Sequence, residues 1–261
     1  MPVIQQYNFN NLRNFSYLIY CSKSNITAII DPFDGFKTKE IIEKNNLLPK
    51  YIINTHNHWD HIQGNEFLTD SYDLEVIYQK GFEQDFQGIT KTVNEGDLLE
   101  IGDEYILEFQ RSPGHTESHL AIFLKDSLNS SIKAIFSGDT LFNAGVGNCK
   151  NGGNVHDLYQ TVVNIYDELD DEVIVYPGHD YLINNLKFAK SVSESDDICT
   201  ILKKKSQEIK EYNEEPLSMA VERKINLFLK EKREQLKNHP EFAKNEDEQI
   251  FIKLRQLRDK W

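Results

Sequence analysis

The chain has 261 residues, 39% of them apolar, with a mean hydropathy of -0.55, which allows one large or two smaller domains with a substantial core. Its net charge of -13 is unevenly placed: residues 1–180 carry 12 Lys and Arg against 27 Asp and Glu, a balance of -15, whereas residues 181–261 carry 17 against 15. An acidic body of this kind excludes nucleic acid and anionic membranes as expected partners, and no apolar run approaches the roughly 18 residues of a membrane span. The segment Met1 to Gln6 lacks the basic start and apolar core of a secretion signal. Cys21, Cys149 and Cys199 are odd in number, far apart and without CxxC spacing, which fits a reducing compartment rather than a disulfide framework. A cytoplasmic protein is expected, and a monomer, since no heptad or apolar stripe announces an oligomer.

In chain order, Val3 to Tyr7, Phe15 to Cys21 and Asn25 to Ile30 read as strands, the last closing on Asp31-Pro32. Thr38 reads as the cap of an amphipathic helix over Lys39 to Asn46. The run Lys50 to Asn54 is then a buried strand that ends on Thr55-His56-Asn57-His58-Trp59-Asp60-His61. Three imidazoles and a carboxylate so close together point to a metal. His56, His58, Asp60 and His61 fall at positions that no single helix face can collect, so a loop is expected to present them. In an extended turn His56 and His58 share one side and Asp60 and His61 face another. A zinc-like ion takes about four ligands, so the motif half-fills two sites.

Ile62 to Leu68 reads as a helix, and Leu74 to Tyr78, Leu98 to Ile101 and Tyr105 to Gln110 as strands. Ser112-Pro113-Gly114-His115-Thr116 is a turn that delivers His115, which can finish the first site. Strands His119 to Leu124 and Ile132 to Phe136 lead to Ser137-Gly138-Asp139-Thr140, where the two oxygens of Asp139 can each hold one ion. A helix His156 to Leu169, a strand Glu172 to Tyr176 and Pro177-Gly178-His179 follow, and His179 can finish the second site. Singly, each of these is an ordinary turn or cap. Together they supply the three missing donors, all at strand ends, where open α/β sheets place their sites. His119 is read as lying behind the ligands, His156 as a helix cap and His239 as a surface residue. From residue 181 the texture is helical: Leu182 to Ser191, Ile198 to Tyr212, Ser218 to Leu236 with breaks, and Glu246 to Asp259, with Lys203 to Lys205 as a solvated face. This divides the chain into domains 1–180 and 181–261.

The set His56-x-His58-x-Asp60-His61, His115, Asp139 and His179 resembles the pattern of the metallo-β-lactamase superfamily. Gly138 to Phe142, Pro177 to Tyr181, Asn184 to Ala189 and Leu254 to Asp259 make the whole chain resemble its glyoxalase II branch, the hydroxyacylglutathione hydrolases. The resemblance implies an α/β fold, an αββα sandwich followed by a small all-helical C-terminal domain. It implies two divalent metal ions, zinc foremost, with iron or manganese also suited to histidine and carboxylate donors. His56, His58 and His115 would hold the first ion, Asp60, His61 and His179 the second, and Asp139 would bridge them. Asp60 and Asp139 would position a metal-held hydroxide that cleaves S-D-lactoylglutathione to glutathione and D-lactate.

The glutathione portion would lie against the loop after Asp139, Tyr181, and the basic pair Arg255 and Arg258. That pair is spaced i, i+3 on the last helix of an otherwise acidic protein and is expected to take a carboxylate. The family commonly places a lysine, and two residues later a tyrosine, where this chain has Asn148 and Lys150. A rival within the superfamily is a glutathione persulfide dioxygenase with a single iron on two histidines and a carboxylate; the long helical tail with its arginine pair favours the thioesterase. A metal-binding scaffold without activity predicts a lost ligand, and all seven are present.

Overall fold

A computed structural model describes residues 2–8, 10–208 and 216–261. Contacts gather the chain into two compact units, Met1–Arg111 with Ser118–Gly138, and Ser112–Glu117 with Asp139–Trp261.

In the first unit β1 (Val3–Tyr7), β2 (Phe15–Tyr20), β3 (Ile26–Ile30), β4 (Leu48–Ile53), β5 (Glu75–Gln79) and β6 (Lys91–Val93) lie side by side in that order. The pairing is antiparallel as far as β3 and parallel beyond it. Parallel neighbours need crossovers, supplied by α1 (Gly35–Lys44) between β3 and β4 and by α2 (Trp59–Ile62) and α3 (Asn65–Ser71) between β4 and β5. β7 (Leu98–Ile101), β8 (Tyr105–Arg111), β9 (Leu120–Asp126) and β10 (Ile132–Gly138) form an antiparallel meander. Alternation along β2 explains the layering. Leu18 joins Ile29, Ile52 and Val76 in a cluster with Ile42 of α1 and Leu68 of α3. Tyr17, its neighbour in sequence, points the other way and meets Phe136 of β10 edge-on at 5.2 Å. Helices, first sheet and second sheet are thus stacked around two apolar layers, each fully buried Leu or Ile contributing about 1.5–3 kcal/mol.

In the second unit β11 (Leu141–Phe142) and β12 (Gly145–Val146) make a tight hairpin. α4 (Val155–Thr161) runs into a π-helical turn, Val162–Tyr166. Then come β13 (Ile174–Pro177), α5 (Leu182–Val192), α6 (Asp196–Glu208), β14 (Leu217–Ser218) paired antiparallel to β13, α7 (Met219–Ile225), α8 (Lys230–Leu236) and α9 (Asp247–Lys260). Arg233 of α8 is buried and is tolerated there because Asp167 and Asp247 accept from its guanidinium, each at 2.9 Å. Among the described residues no helix is long and apolar enough to cross a membrane.

Several boundaries differ from those expected, each for a local reason. The first helix begins at Gly35, capped by Asp34, whose side chain accepts from Lys37 N at 3.0 Å. Thr38 is instead buried and donates to Gln6 Oε1 and Asp34 O. The helix expected over Ile62 to Leu68 is two pieces separated at Gly64, which donates to Pro32 O at 2.7 Å and has no room there for a Cβ. Asn154, not His156, caps α4 by accepting from the amides of His156 and Asp157. The long helix expected from Ser218 breaks at Asn226, and Lys205 is buried while Lys203 and Lys204 are exposed. β6 and the β11–β12 hairpin are too short to show a periodicity. Part of the helix expected over Ile198 to Tyr212 lies outside the described residues.

Candidate metal centre

β4 ends at Ile53, and the chain passes through buried Asn54 and Thr55 into the histidine motif. His56 and His58 sit on the loop, as expected, but Asp60 and His61 belong to the first turn of α2, with His58 at its N-cap. Loop and helix turn together give the spread of directions that neither provides alone. Asp31, at the end of the neighbouring parallel strand β3, gathers the motif. Its Oδ1 accepts from Thr55 N at 2.8 Å, and its Oδ2 accepts from Thr55 Oγ1 at 2.6 Å and His61 Nδ1 at 2.9 Å. Asp31 sits at φ +48, the left-handed region that Asp tolerates better than most side chains.

These bonds fix ring tautomers. His61 carries its proton on Nδ1 toward Asp31. Thr55 Oγ1, spent as a donor on Asp31, accepts from His56 Nδ1 at 3.0 Å, so His56 turns Nε2 toward His58 Nδ1, 3.1 Å away. Two ring nitrogens at that separation are joined by one proton or one cation. Asn14 holds the carboxylate of Asp60, donating to Oδ2 at 2.8 Å and to its carbonyl at 3.2 Å. His119 is buried and stacks on His56 with centroids 5.1 Å apart. Ligand atoms of Asp31, His56 and His61 lie within 4.8 Å of one another, yet Asp31 already accepts three hydrogen bonds and is better suited to orient His61 than to bind an ion.

In the second unit, the 112–117 loop is fastened to α4: Gly114 O accepts from Asn154 N at 2.9 Å and Pro113 O from Thr161 Oγ1 at 2.6 Å. His115 donates from Nδ1 to Asn148 O at 2.6 Å, so its Nε2 is the lone-pair nitrogen. Asp139 Oδ2 lies 3.5 Å from His115 Nε2 and 3.2 Å from His179 Nε2. Tyr181 stacks flat on His179, 5.0 Å between centroids and 3° between planes, and Phe142 meets both rings edge-on.

Of the five expected substrate residues, Tyr181 caps α5 and the other four lie on α9 and the loop after Asp139. Arg255 is buried and donates to Val146 O at 2.8 Å, Gly147 O at 3.2 Å and Asp259 Oδ1 at 3.0 Å. Arg258 is half-buried, donates to Asn185 Oδ1 at 3.3 Å, and lies over the rings of Phe188 and Trp261. Lys150 is exposed, its Nζ 3.6 Å from Asp259 Oδ1. Asn148 contributes its carbonyl to His115, while its Oδ1 accepts from Lys150 N at 3.0 Å. Thus Arg255 is a tie within the protein, and Asn148 reaches His115 through its main chain.

Residues 10–179 match the metallo-beta-lactamase superfamily, and residues 180–261 match the hydroxyacylglutathione hydrolase C-terminus. The hydroxyacylglutathione hydrolase of Nitrosococcus oceani is 33% identical over 100% of both chains, and that of Polaromonas sp. is 32% identical over 97% of each. The chain belongs to the hydroxyacylglutathione hydrolase family. Among solved structures, ETHE1 from Myxococcus xanthus is similar with a TM-score of 0.67 at 21% identity, covering 98% of this chain and 91% of that one, a likeness of fold. The fold is the metallo-β-lactamase arrangement of sheets and helices with a helical C-terminal region, as the sequence leads one to expect.

In this member of the hydroxyacylglutathione hydrolase family, sequence reading missed the residues that aim the donors, namely Asp31 and Asn14. A strand-end Asp in Asp31-Pro32 carries the same signal as Asp139-Thr140, but the motif lies 24 positions away from it. We expect Asp31→Ala to weaken zinc binding about 10–100-fold, as loss of a histidine's outer partner generally does. Chelator competition measures it, and wild-type affinity in the folded variant would refute the role. Cys149, beside Asn148, offers no thiolate at neutral pH, because burial pushes its thiol up to about 11.

Proposed function

We propose that the chain hydrolyses S-(2-hydroxyacyl)glutathione thioesters, S-D-lactoylglutathione foremost, releasing glutathione and D-lactate. On this reading residues 1–180 carry the metal centre and residues 181–261 contribute the substrate grip. His56, His58 and His115 hold one divalent ion, Asp60, His61 and His179 the other, and Asp139 is shared between them. The observation that carries it is the approach of Asp139 Oδ2 to the Nε2 atoms of both His115 and His179, two histidines assigned to different ions. Further support comes from the donor chemistry: His56, His61 and His115 each have Nδ1 engaged by an acceptor, which leaves Nε2 the metal-binding nitrogen.

Two such ions, zinc by preference, lower the pKa of bound water to about 7 and polarise a carbonyl. The chain's own residues do the rest. Asp31 and Asn148 O hold the ring protons of His61 and His115 away from the site. Asn14 keeps the Asp60 carboxylate in place. Tyr181, seated on His179, offers its hydroxyl and ring edge to the substrate, and Arg258, Lys150 and Arg255 supply positive charge for the glutathione carboxylates. The departing thiolate belongs to a thiol of pKa near 8.5 and needs no dedicated acid. The free thiols of Cys21, Cys149 and Cys199 suit a reducing, cytoplasmic setting, and we take the chain to act as a monomer.

The test is hydrolysis of S-D-lactoylglutathione by purified protein, followed at the thioester absorbance, with metal counted on the same sample. Turnover with about two ions per chain is expected. No turnover, with one iron per chain and oxygen uptake on glutathione persulfide, would overturn the reading in favour of the dioxygenase.

A further inference from the structure

The hairpin between Asp139 and Asn148 is held by side chains that arrive from much later in the chain. Asn226, at the C-terminal end of α7, donates its amide to Phe142 O at 3.3 Å and Gly145 O at 3.1 Å. Asn185 of α5 donates to Asn143 O at 2.9 Å. Glu222 of α7 accepts from Ala144 N at 2.9 Å and from Asn143 Nδ2 at 3.0 Å, and Asn226 donates to it at 3.2 Å. Arg255 of α9 takes Val146 O and Gly147 O. Each residue from 142 to 147 therefore has a main-chain group bound by a side chain 42 to 109 positions later.

A hairpin of two-residue strands has few internal bonds, and its turn is strained: Ala144 has φ +58, a conformation a non-glycine residue keeps only where its surroundings over-determine it. Glu222 and Asn226 are both fully buried. A carboxylate is not buried for packing alone, and this one is spent on the amide of the strained residue.

The hairpin bears directly on two metal donors. A Cβ at Gly147 would meet the carbonyl oxygen of Asp139 and lie 3.0 Å from His115 Nδ1. The next residue, Asn148, accepts the proton of that same nitrogen. We propose that Glu222 and Asn226 are positioning residues for the metal centre: they fix the 142–147 backbone so that Asn148 O orients His115 and Gly147 packs against Asp139. This rests on the metal reading above and extends it to two residues that contact neither metal nor substrate.

The test compares the full-length wild type, Glu222→Ala, Glu222→Gln and Asn226→Ala for zinc affinity by chelator competition, turnover of S-D-lactoylglutathione, and thermal unfolding. Glu222→Ala is expected to weaken zinc binding about 10–100-fold and to lower kcat, while Glu222→Gln, which keeps an acceptor oxygen of the same reach, stays within about threefold of wild type. A lowered Tm with zinc affinity and kcat unchanged would make Glu222 a fold residue only and overturn the proposal. Should Glu222→Ala not fold, Asn226→Ala reads the same quantity, with unchanged zinc affinity again counting against it. A wild type that neither binds zinc nor turns over the thioester sinks the metal reading and takes this inference with it.

The pH dependence gives a further readout. Burial pushes Glu222 up to about 7, against the lowering effect of its bonds from Ala144, Asn143 and Asn226. The folded chain therefore holds this proton more tightly than the unfolded chain. The stability that Glu222 contributes is present below its ordinary value of 4.5 and is lost as pH rises through about 7. Wild type should lose Tm relative to Glu222→Gln across that window, at equal metal content.

Discussion

Replacing Asp139 by Ala is expected to remove both metal ions from the chain together and to lower turnover about a thousandfold or more. The expectation follows from one atom. Oδ2 of Asp139 stands 3.5 Å from His115 Nε2 and 3.2 Å from His179 Nε2, so on the proposed assignment its loss opens both ligand sets at once. Replacement of a donor that serves one ion only, as in His179→Ala, should leave the other ion in place. Metal analysis after dialysis decides between the cases, and two ions per chain retained in Asp139→Ala would disprove the bridge. The 112–117 loop that carries His115 is anchored independently by α4 through Gly114 O and Pro113 O. The variant should therefore fold.

The second large effect separates two arginines that sequence reading treats as a pair. Arg258→Ala should raise KM for the glutathione thioester with little change in kcat, the signature of lost uniform binding, because its guanidinium reaches the side chain of Asn185 and two aromatic rings but no main-chain group among the bonds described. Arg255→Ala should lower kcat as well and reduce stability. It leaves Val146 O and Gly147 O without a buried donor, at about 1–3 kcal/mol for each unsatisfied group, and loosens the hairpin next to His115. Arg255→Lys should rescue little, since a single ammonium cannot span two carbonyls and Asp259 as the planar fork does. Steady-state kinetics with thermal unfolding measure both. Equal effects of Arg255→Ala and Arg258→Ala on KM, with kcat untouched in each, would return the pair to a common role in substrate binding.

The seven proposed donors could be singled out in the sequence because imidazole and carboxylate are the groups that bind divalent ions, and because each falls at the end of a strand or turn that the apolar periodicity already marks. The layered α/β design was legible for the same reason. Roles that depend on an unseen neighbour were not. Asp31 acts on a motif 24 positions away, and Asn14 on a carboxylate 46 positions away. Glu222 reads as one more acid on a charged helix until the fold brings it against Ala144, 78 positions earlier. Boundaries went astray where a tertiary bond replaced a local one: Thr38 looks like a helix cap, but its hydroxyl is drawn to Gln6, and Asp34 caps in its stead. Arg255 and Arg258 are alike by spacing, and only burial tells them apart.

The fastening of residues 142–147 has a consequence for the order in which the chain can mature. All seven proposed donors have been synthesised by residue 179, whereas the side chains that set the hairpin stand at positions 185, 222, 226 and 255. A nascent chain stopped near residue 180 holds every ligand and none of these ties. On the proposed assignment, high-affinity metal capture is expected to wait for the last helix, and a chain cut short of Arg255 to hold its metal less well than the full chain.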